Sequence, residues 1–247
     1  MSIELLAAGF LVLFIILIGA FSIYERVRRG GRDLRDISAI SRLIYAIGLA
    51  VEDGTRLHVS LGTSDMTGEQ SAAALAGLSI LDRVARTASI SDAPPVVTSG
   101  DGALSVLSQA VLAGAYREMG VGELHDPAQA RLVGVTPFSY AAGTLPVIHD
   151  EQVSATLMTG HFGPEIALIG ETADRTDGFT LAGTDSLPGQ AVLYAAAQEP
   201  LIGEELFAAG AYLRSGLVHT ASLRVQDVFR WLIIAAILAG GAVRLFG

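Results

Sequence analysis

Two apolar stretches, one near each end of the chain, constrain everything between them. Leu5 to Tyr24 holds 20 residues without a charge, and a helix of that length spans about 30 Å, the thickness of a bilayer's hydrocarbon core. The second stretch, Trp231 to Val243, has 13 uncharged residues between Arg230 and Arg244. Arginines at both ends can snorkel to the interface, which lets Val228 to Gly247 reach across as well. The expected layout is a transmembrane helix over 1–24, a basic juxtamembrane flank over 25–36, a soluble domain over 37–227 and a second transmembrane helix over 228–247.

The first stretch reads as an anchor rather than a cleaved signal peptide. Met1 to Glu4 carries an acid and no base, and Glu25-Arg26-Val27-Arg28-Arg29 follows as a stop-transfer flank. Arg26, Arg28, Arg29, Arg32, Arg35, Arg224 and Arg230 lie on the domain side of the two stretches, and only Arg244 lies beyond. By the positive-inside rule the chain is expected in the cell membrane with two spans and its soluble domain in the cytoplasm.

Composition removes several kinds of chemistry. There is no cysteine, hence no disulfide, thiolate nucleophile or cysteine-held metal. There is no lysine, hence no P-loop lysine and no Schiff base. Asp36 to Asp227 contains 22 acids against 9 arginines, a difference of −13. Such a surface repels phosphate, and no nucleic-acid partner is expected.

Between the flanks the sequence alternates short strands with longer helices. Ile40, Leu43, Ile44, Ile47 and Val51 have helical spacing, ended by Asp53-Gly54. Leu57 to Leu61, Pro95 to Thr98, Arg131 to Val135, Val153 to Met158 and Phe179 to Ala182 read as strands. Helices follow them: from Thr67-Gly68-Glu69-Gln70, which has the form of a capping box, to Ala88; from Asp101 to Met119; from Thr136-Pro137; from Pro164 to Ala173; and from Leu187 to Gln198 and Gly203 to Leu213. This pattern predicts an α/β fold, a Rossmann-like and mostly parallel sheet of about five strands flanked by helices, with one transmembrane helix at each end.

In a parallel sheet the loops after the strands share one edge, where α/β folds bind ligands. Ser64, Thr98, Asp101, Thr159, His161 and Asp185 are the candidate ligand-binding residues there, for a small anionic or polar molecule at the helix N-termini. The same loops need small polar capping residues whatever they bind. Gly100-Asp101-Gly102-Ala103-Leu104-Ser105 approximates a dinucleotide loop, but it follows the second strand, and Asp101 reads as well as a helix N-cap. His161, between two glycines, is the candidate general base or ligand-binding histidine. Asp65, Asp101 and Asp185 could gather around Mg²⁺, although each alone reads as a cap, and no metal or cofactor is expected. No residue is assigned a catalytic role. Ala236 and Gly240 in the second apolar stretch have the small-x-x-x-small spacing of a helix-packing face.

Ile37-Ser38-Ala39-Ile40, Leu57-His58-Val59-Ser60-Leu61-Gly62, Pro94-Pro95-Val96-Val97-Thr98-Ser99-Gly100-Asp101 and, most distinctively, Pro200-Leu201-Ile202-Gly203-Glu204-Glu205-Leu206-Phe207-Ala208-Ala209-Gly210-Ala211-Tyr212 resemble a family of uncharacterised bacterial membrane proteins, domain of unknown function 6754. The resemblance implies the two-span layout and supplies no activity. The expected function is a membrane-anchored α/β domain that binds a partner protein or a small polar ligand, as a scaffold or assembly subunit. The expected partners are the lipid bilayer and a protein or a second copy of the chain. The alternatives are a membrane-bound enzyme acting at the C-terminal edge of the sheet and an accessory subunit of a transport or secretion complex.

Overall fold

The computed structural model describes residues 3–28, 37–213 and 217–246. In chain order the elements are α1 (Ile3–Arg28), α2 (Ser38–Glu52), β1 (Arg56–Gly62), α3 (Ser71–Ala88), β2 (Val96–Ser99), α4 (Gly102–Glu118), β3 (Ala130–Leu132), α5 (Pro137–Asp150), β4 (Val153–His161), α6 (Ile166–Arg175), β5 (Phe179–Thr184), α7 (Leu187–Ala196), β6 (Glu199–Leu201), α8 (Glu205–Tyr212) and α9 (Leu217–Phe246). They divide into two compact units, the terminal helices and the chain between them.

The terminal unit is a pair of helices, each long and apolar enough to cross a bilayer. Phe10 and Phe14 of α1 pack on Phe229 of α9, with ring centroids 5.9 and 6.0 Å apart. The Arg224 guanidinium lies 5.5 Å from the centre of the Tyr24 ring. Later residues of α9 thus meet earlier residues of α1, and the pair is antiparallel. Most of both helices is exposed to the surroundings, Trp231, Ile237 and Leu238 among them.

The other unit is built on a six-stranded, all-parallel sheet in the order β3-β2-β1-β4-β5-β6. From β1 the chain winds outward to β3, returns across the sheet to β4, and winds outward again to β6. Right-handed crossovers in opposite directions put their helices on opposite faces. Leu57, Val59 and Leu61 of β1, with Leu157 and Leu181, pack against Leu43, Leu81, Val84 and Tyr116 of α2, α3 and α4, with Ala209 of α8 in the same cluster. On the other face Met158 and Ala182 pack with Tyr140, Ile148, Ile166, Ile169 and Leu193 of α5, α6 and α7. The helix α2 packs in the first of these clusters. Near its start Arg42 pairs with Glu199 at the beginning of β6, and its end feeds β1.

The sheet has six strands, all parallel, where about five and a mostly parallel arrangement were expected. The additional strand is β6, three residues long with Pro200 at its centre, paired in register with Leu181, Ala182 and Gly183. Proline donates no ladder bond and is tolerated there because β6 is an edge strand. α3 starts at Ser71, not at Thr67. The Asp65 carboxylate accepts both the Thr67 amide and the Thr67 hydroxyl, each at 2.8 Å, and this tight turn takes the would-be cap out of the helix.

The sheet is tightest where its order reverses. β1 and β4 stay paired to Gly62 and His161. Gly62 has φ +69°, and a Cβ there would overlap the His161 carbonyl oxygen. A Cβ on Gly160 would overlap the Leu61 carbonyl oxygen. Both glycines are therefore required by close backbone approach. Gly62→Ala and Gly160→Ala should each destabilise the fold by about 2 kcal/mol or more, lowering Tm by about 5 °C or more. Gly54→Ala, also at positive φ (+63°) but in open space, should cost only about 1 kcal/mol. Equal melting points for the three variants would contradict the tight seam.

Candidate functional site

The edge formed by the C-terminal ends of the strands is where four of the candidate loops meet, and main-chain hydrogen bonds lace it together. The Thr63 amide donates to the His161 carbonyl at 3.1 Å, and the Gly100 amide donates to the Gly62 carbonyl at 2.8 Å. The His161 amide donates to Ser64 Oγ at 2.7 Å, and the Ser64 hydroxyl donates to the Leu61 carbonyl at 3.3 Å. On the β5 side, Thr184 Oγ1 accepts the Phe162 amide at 2.9 Å and donates to the Phe162 carbonyl at 3.0 Å. At an order reversal of this kind two loops usually splay apart and leave a crevice. Here β1 and β4 remain zipped through that point.

Three of the six candidates converge at the seam. Ser64 bridges β1 to β4, and the His161 ring Nδ1 lies 2.7 Å from Asp185 Oδ1. Both members of this His–Asp pair keep some exposure, 26% and 22% of their side chains. A carboxylate on Nδ1 fixes the ring orientation and leaves Nε2 as the working nitrogen, the arrangement of a base held by an orienting acid.

The other three lie elsewhere. Asp101 caps α4, its carboxylate accepting the Leu104 amide at 2.8 Å. That carboxylate occupies the place a pyrophosphate would take. A Cβ on Gly100 would press on Thr63 and the Gly134 carbonyl, and one on Gly102 would meet nothing within 4 Å. Gly100 thus serves the chain's own packing. Thr159 is buried, and its hydroxyl has no hydrogen-bond partner. Thr98 points beneath α5, into a buried polar cluster.

That cluster links His58, Thr98, Tyr140 and Ser60. His58 Nε2 is 2.9 Å from Thr98 Oγ1, which is 2.9 Å from the Tyr140 hydroxyl, which is 2.6 Å from Ser60 Oγ. The Gly62 amide donates to the same Tyr140 oxygen at 3.2 Å. Tyr140 thus ties α5 to the turn that begins the seam. Burial raises the Tyr140 pKa and keeps the phenol protonated. Burial, aided by the positive charge of Arg131, pushes His58 down to about 3. His58 is therefore neutral at ordinary pH, and its Nδ1 has no partner.

The electrostatics of the edge are one-sided. Asp101 takes the Leu104 amide, Glu165 the Gly163 amide at 2.7 Å, and Glu205 the Ile202 amide at 3.3 Å. Asp65 takes the Thr67 amide, and that bond holds its carboxyl below the usual range. The positive ends of these turns already hold the protein's own carboxylates, whereas α5 and α7 begin at the neutral caps Thr136 and Ser186. The arginines lie toward the other edge. Arg86, Arg117 and Arg175 are in the last turns of α3, α4 and α6, and Arg56 and Arg131 both pair with Glu151 just before β4. No loop that follows a strand contains an arginine. Among the described residues, no three His, Asp or Glu side chains gather as a metal site.

His58, Ser60, Tyr140, Thr184 and Glu165 were not singled out by sequence. A signal existed for the first two. They alternate with Leu57, Val59 and Leu61 in a strand expected to be covered on both faces, so they had to be buried and hydrogen-bonded. In the terminal unit, Ala236 is exposed and a Cβ on Gly240 would meet nothing within 4 Å, whereas α1 packs on α9 at Phe229.

A family model described as a domain of unknown function, DUF6754, matches residues 2–247, and the chain belongs to that family. No curated protein and no solved structure matches it.

The folded pKa of His58 lies below its unfolded value of 6.5. The unfolded chain therefore binds the extra proton between these values, and stability present above pH 6.5 is lost as the pH falls toward 3. From pH 6.5 to 5 this one group should account for about 2 kcal/mol of lost stability. Denaturant titrations of His58→Gln should show a correspondingly flatter pH dependence than the parent. Parallel curves would place the imidazole in contact with water.

Proposed function

For this DUF6754 protein we propose a non-catalytic docking role. The chain is anchored in the cell membrane by α1 and α9 with its Rossmann-like domain in the cytoplasm, and the C-terminal edge of the sheet receives a partner protein. The observation that carries this reading is the closed seam between β1 and β4. Loops bonded to one another at the order reversal suit a surface contact better than an enclosed small molecule. Val135, Phe138 and Leu187, on the loop after β3 and at the starts of α5 and α7, are exposed apolar side chains on that rim. Together with the carboxylates of the edge they match a partner with apolar and basic groups. The seven-to-one arginine bias supports the cytoplasmic side. A scaffold or an accessory subunit of a transport or secretion complex would both use such a face.

The His161–Asp185 pair favours a second reading, an enzyme working at the same edge. Two measurements on the full chain in detergent separate them. A thermal-shift screen against nucleotides and anionic metabolites should leave Tm unchanged, since a ligand at 100 times its Kd would add about 2.7 kcal/mol. A photo-crosslinking residue at Phe138 or Leu187, introduced in cells, should capture one protein of defined mass, and the same residue at Val106 on α4 should not. A metabolite-induced shift abolished by His161→Ala, with no edge-specific crosslink, would replace docking by the enzyme.

A further inference from the structure

The helix α2 is apolar on both sides, which a surface helix normally is not. Of its 15 residues only Arg42 near the start and Glu52 at the end are charged. One side, with Ile40, Leu43, Ile47 and Ala50, is buried in the core against the sheet. The other carries Ile44, Tyr45 and Leu49, exposed to 51%, 73% and 44%. Tyr45 and Leu49, four residues apart, are neighbours on the helix, and Ile44 flanks them with exposed Ser41 and half-buried Gly48 between, so that no acid interrupts this side before Glu52.

We propose that this outer face of α2 rests on the membrane surface, at the boundary between headgroups and acyl chains. The proposal rests on the reading of α1 as a membrane span. Nine residues separate Arg28 from Ser38, and ten steps of extended chain limit that reach to about 35 Å. The segment leading into α2 brings Arg26, Arg28, Arg29, Arg32 and Arg35, which attract anionic headgroups. The stretch 36–227 as a whole is acidic, 22 acids against 9 arginines, and such a lipid surface repels it. The α2 face, with no acid before Glu52, is the side that an anionic bilayer accepts. Tyr45 supplies the amphipathic ring enriched at membrane–water interfaces. Unlike a free amphipathic helix, whose polar side meets water, α2 uses its second side to hold the domain, so the contact would fix how the domain stands on the bilayer.

The native chain has no cysteine, so single reporters are clean. Tyr45→Cys, labelled with the environment-sensitive fluorophore NBD in the full chain, is reconstituted in vesicles of phosphatidylcholine and phosphatidylglycerol. Leu49→Cys is the second reporter, and Val106→Cys, on an exposed site of α4, is the aqueous control. Spin-labelled lipid should quench the reporters at 45 and 49 at least about threefold more than the one at 106, with a blue-shifted emission at 45 and 49. Emission at 45 and 49 like that at 106 would overturn the proposal, as would a blue shift without lipid quenching, which means that protein covers the face. Vesicle flotation tests the anchor separately. A chain that floats but shows no quenching loses only the α2 contact, and a chain that does not float loses the anchor and the contact together.

Discussion

The parallel pairing of β1 with β4, carried to the last residue of each strand, is the constraint on which the rest of the domain depends. The sheet reverses its winding between these two strands, so this ladder is the strand pairing that joins the half made by β1, β2 and β3 to the half made by β4, β5 and β6. It needs glycine at 62 and at 160, because no side chain fits where the two backbones cross. It also decides what the edge can be. With Thr63, Ser64 and His161 bonded to one another, the loops that would otherwise cradle a ligand are occupied in holding the two halves together.

A buried polar cluster supports the seam from below. Tyr140 is the only side chain described as accepting the Gly62 amide, and Ser60, Thr98 and His58 extend the chain of bonds under α5. Buried polar groups of this kind are costly unless each finds a partner. Placing Tyr140 there gives α5, which carries the chain back across the sheet, a fixed register on β1 and β2. The charge pattern follows the same axis. Carboxylates satisfy the helix N-termini at the seam edge, and arginines stand in the last turns at the other, as the helix dipoles favour. The carboxylates on the edge proposed to meet a partner thus stand in loops that contain no arginine.

Much of this was legible in the sequence, and what was missed has physical reasons. The alternation of short strands and longer helices identified the α/β class and five strands, and capping chemistry identified the Asp101 cap and the Thr136 cap followed by Pro137, though not the reciprocal bond from Ser139. The strand ends were less legible. Thr159-Gly160-His161 reads as a loop because glycine usually weakens a strand, yet it is the end of β4, and the glycine is there to let two backbones touch. β6 was hidden by its three-residue length and Pro200. The six candidates rested on the assumption that every residue after a strand faces the edge. Ser64, His161 and Asp185 do, Asp101 is consumed by its own helix, and the alternation of the strand turns Thr98 inward.

The closed seam can be observed directly by amide hydrogen exchange, resolved to single residues, on the full chain in detergent or vesicles. Thr63 and His161 amides bonded across β1 and β4 should exchange as slowly as those of Val59 and Leu157 in the centre of the sheet, because all four would open only with the fold itself. Gly102, a first-turn amide on the same edge, should exchange quickly. Fast exchange at Thr63 and His161 beside protected Val59 and Leu157 would mean that the two strands part at their ends and leave an open crevice, which contradicts the closed docking face.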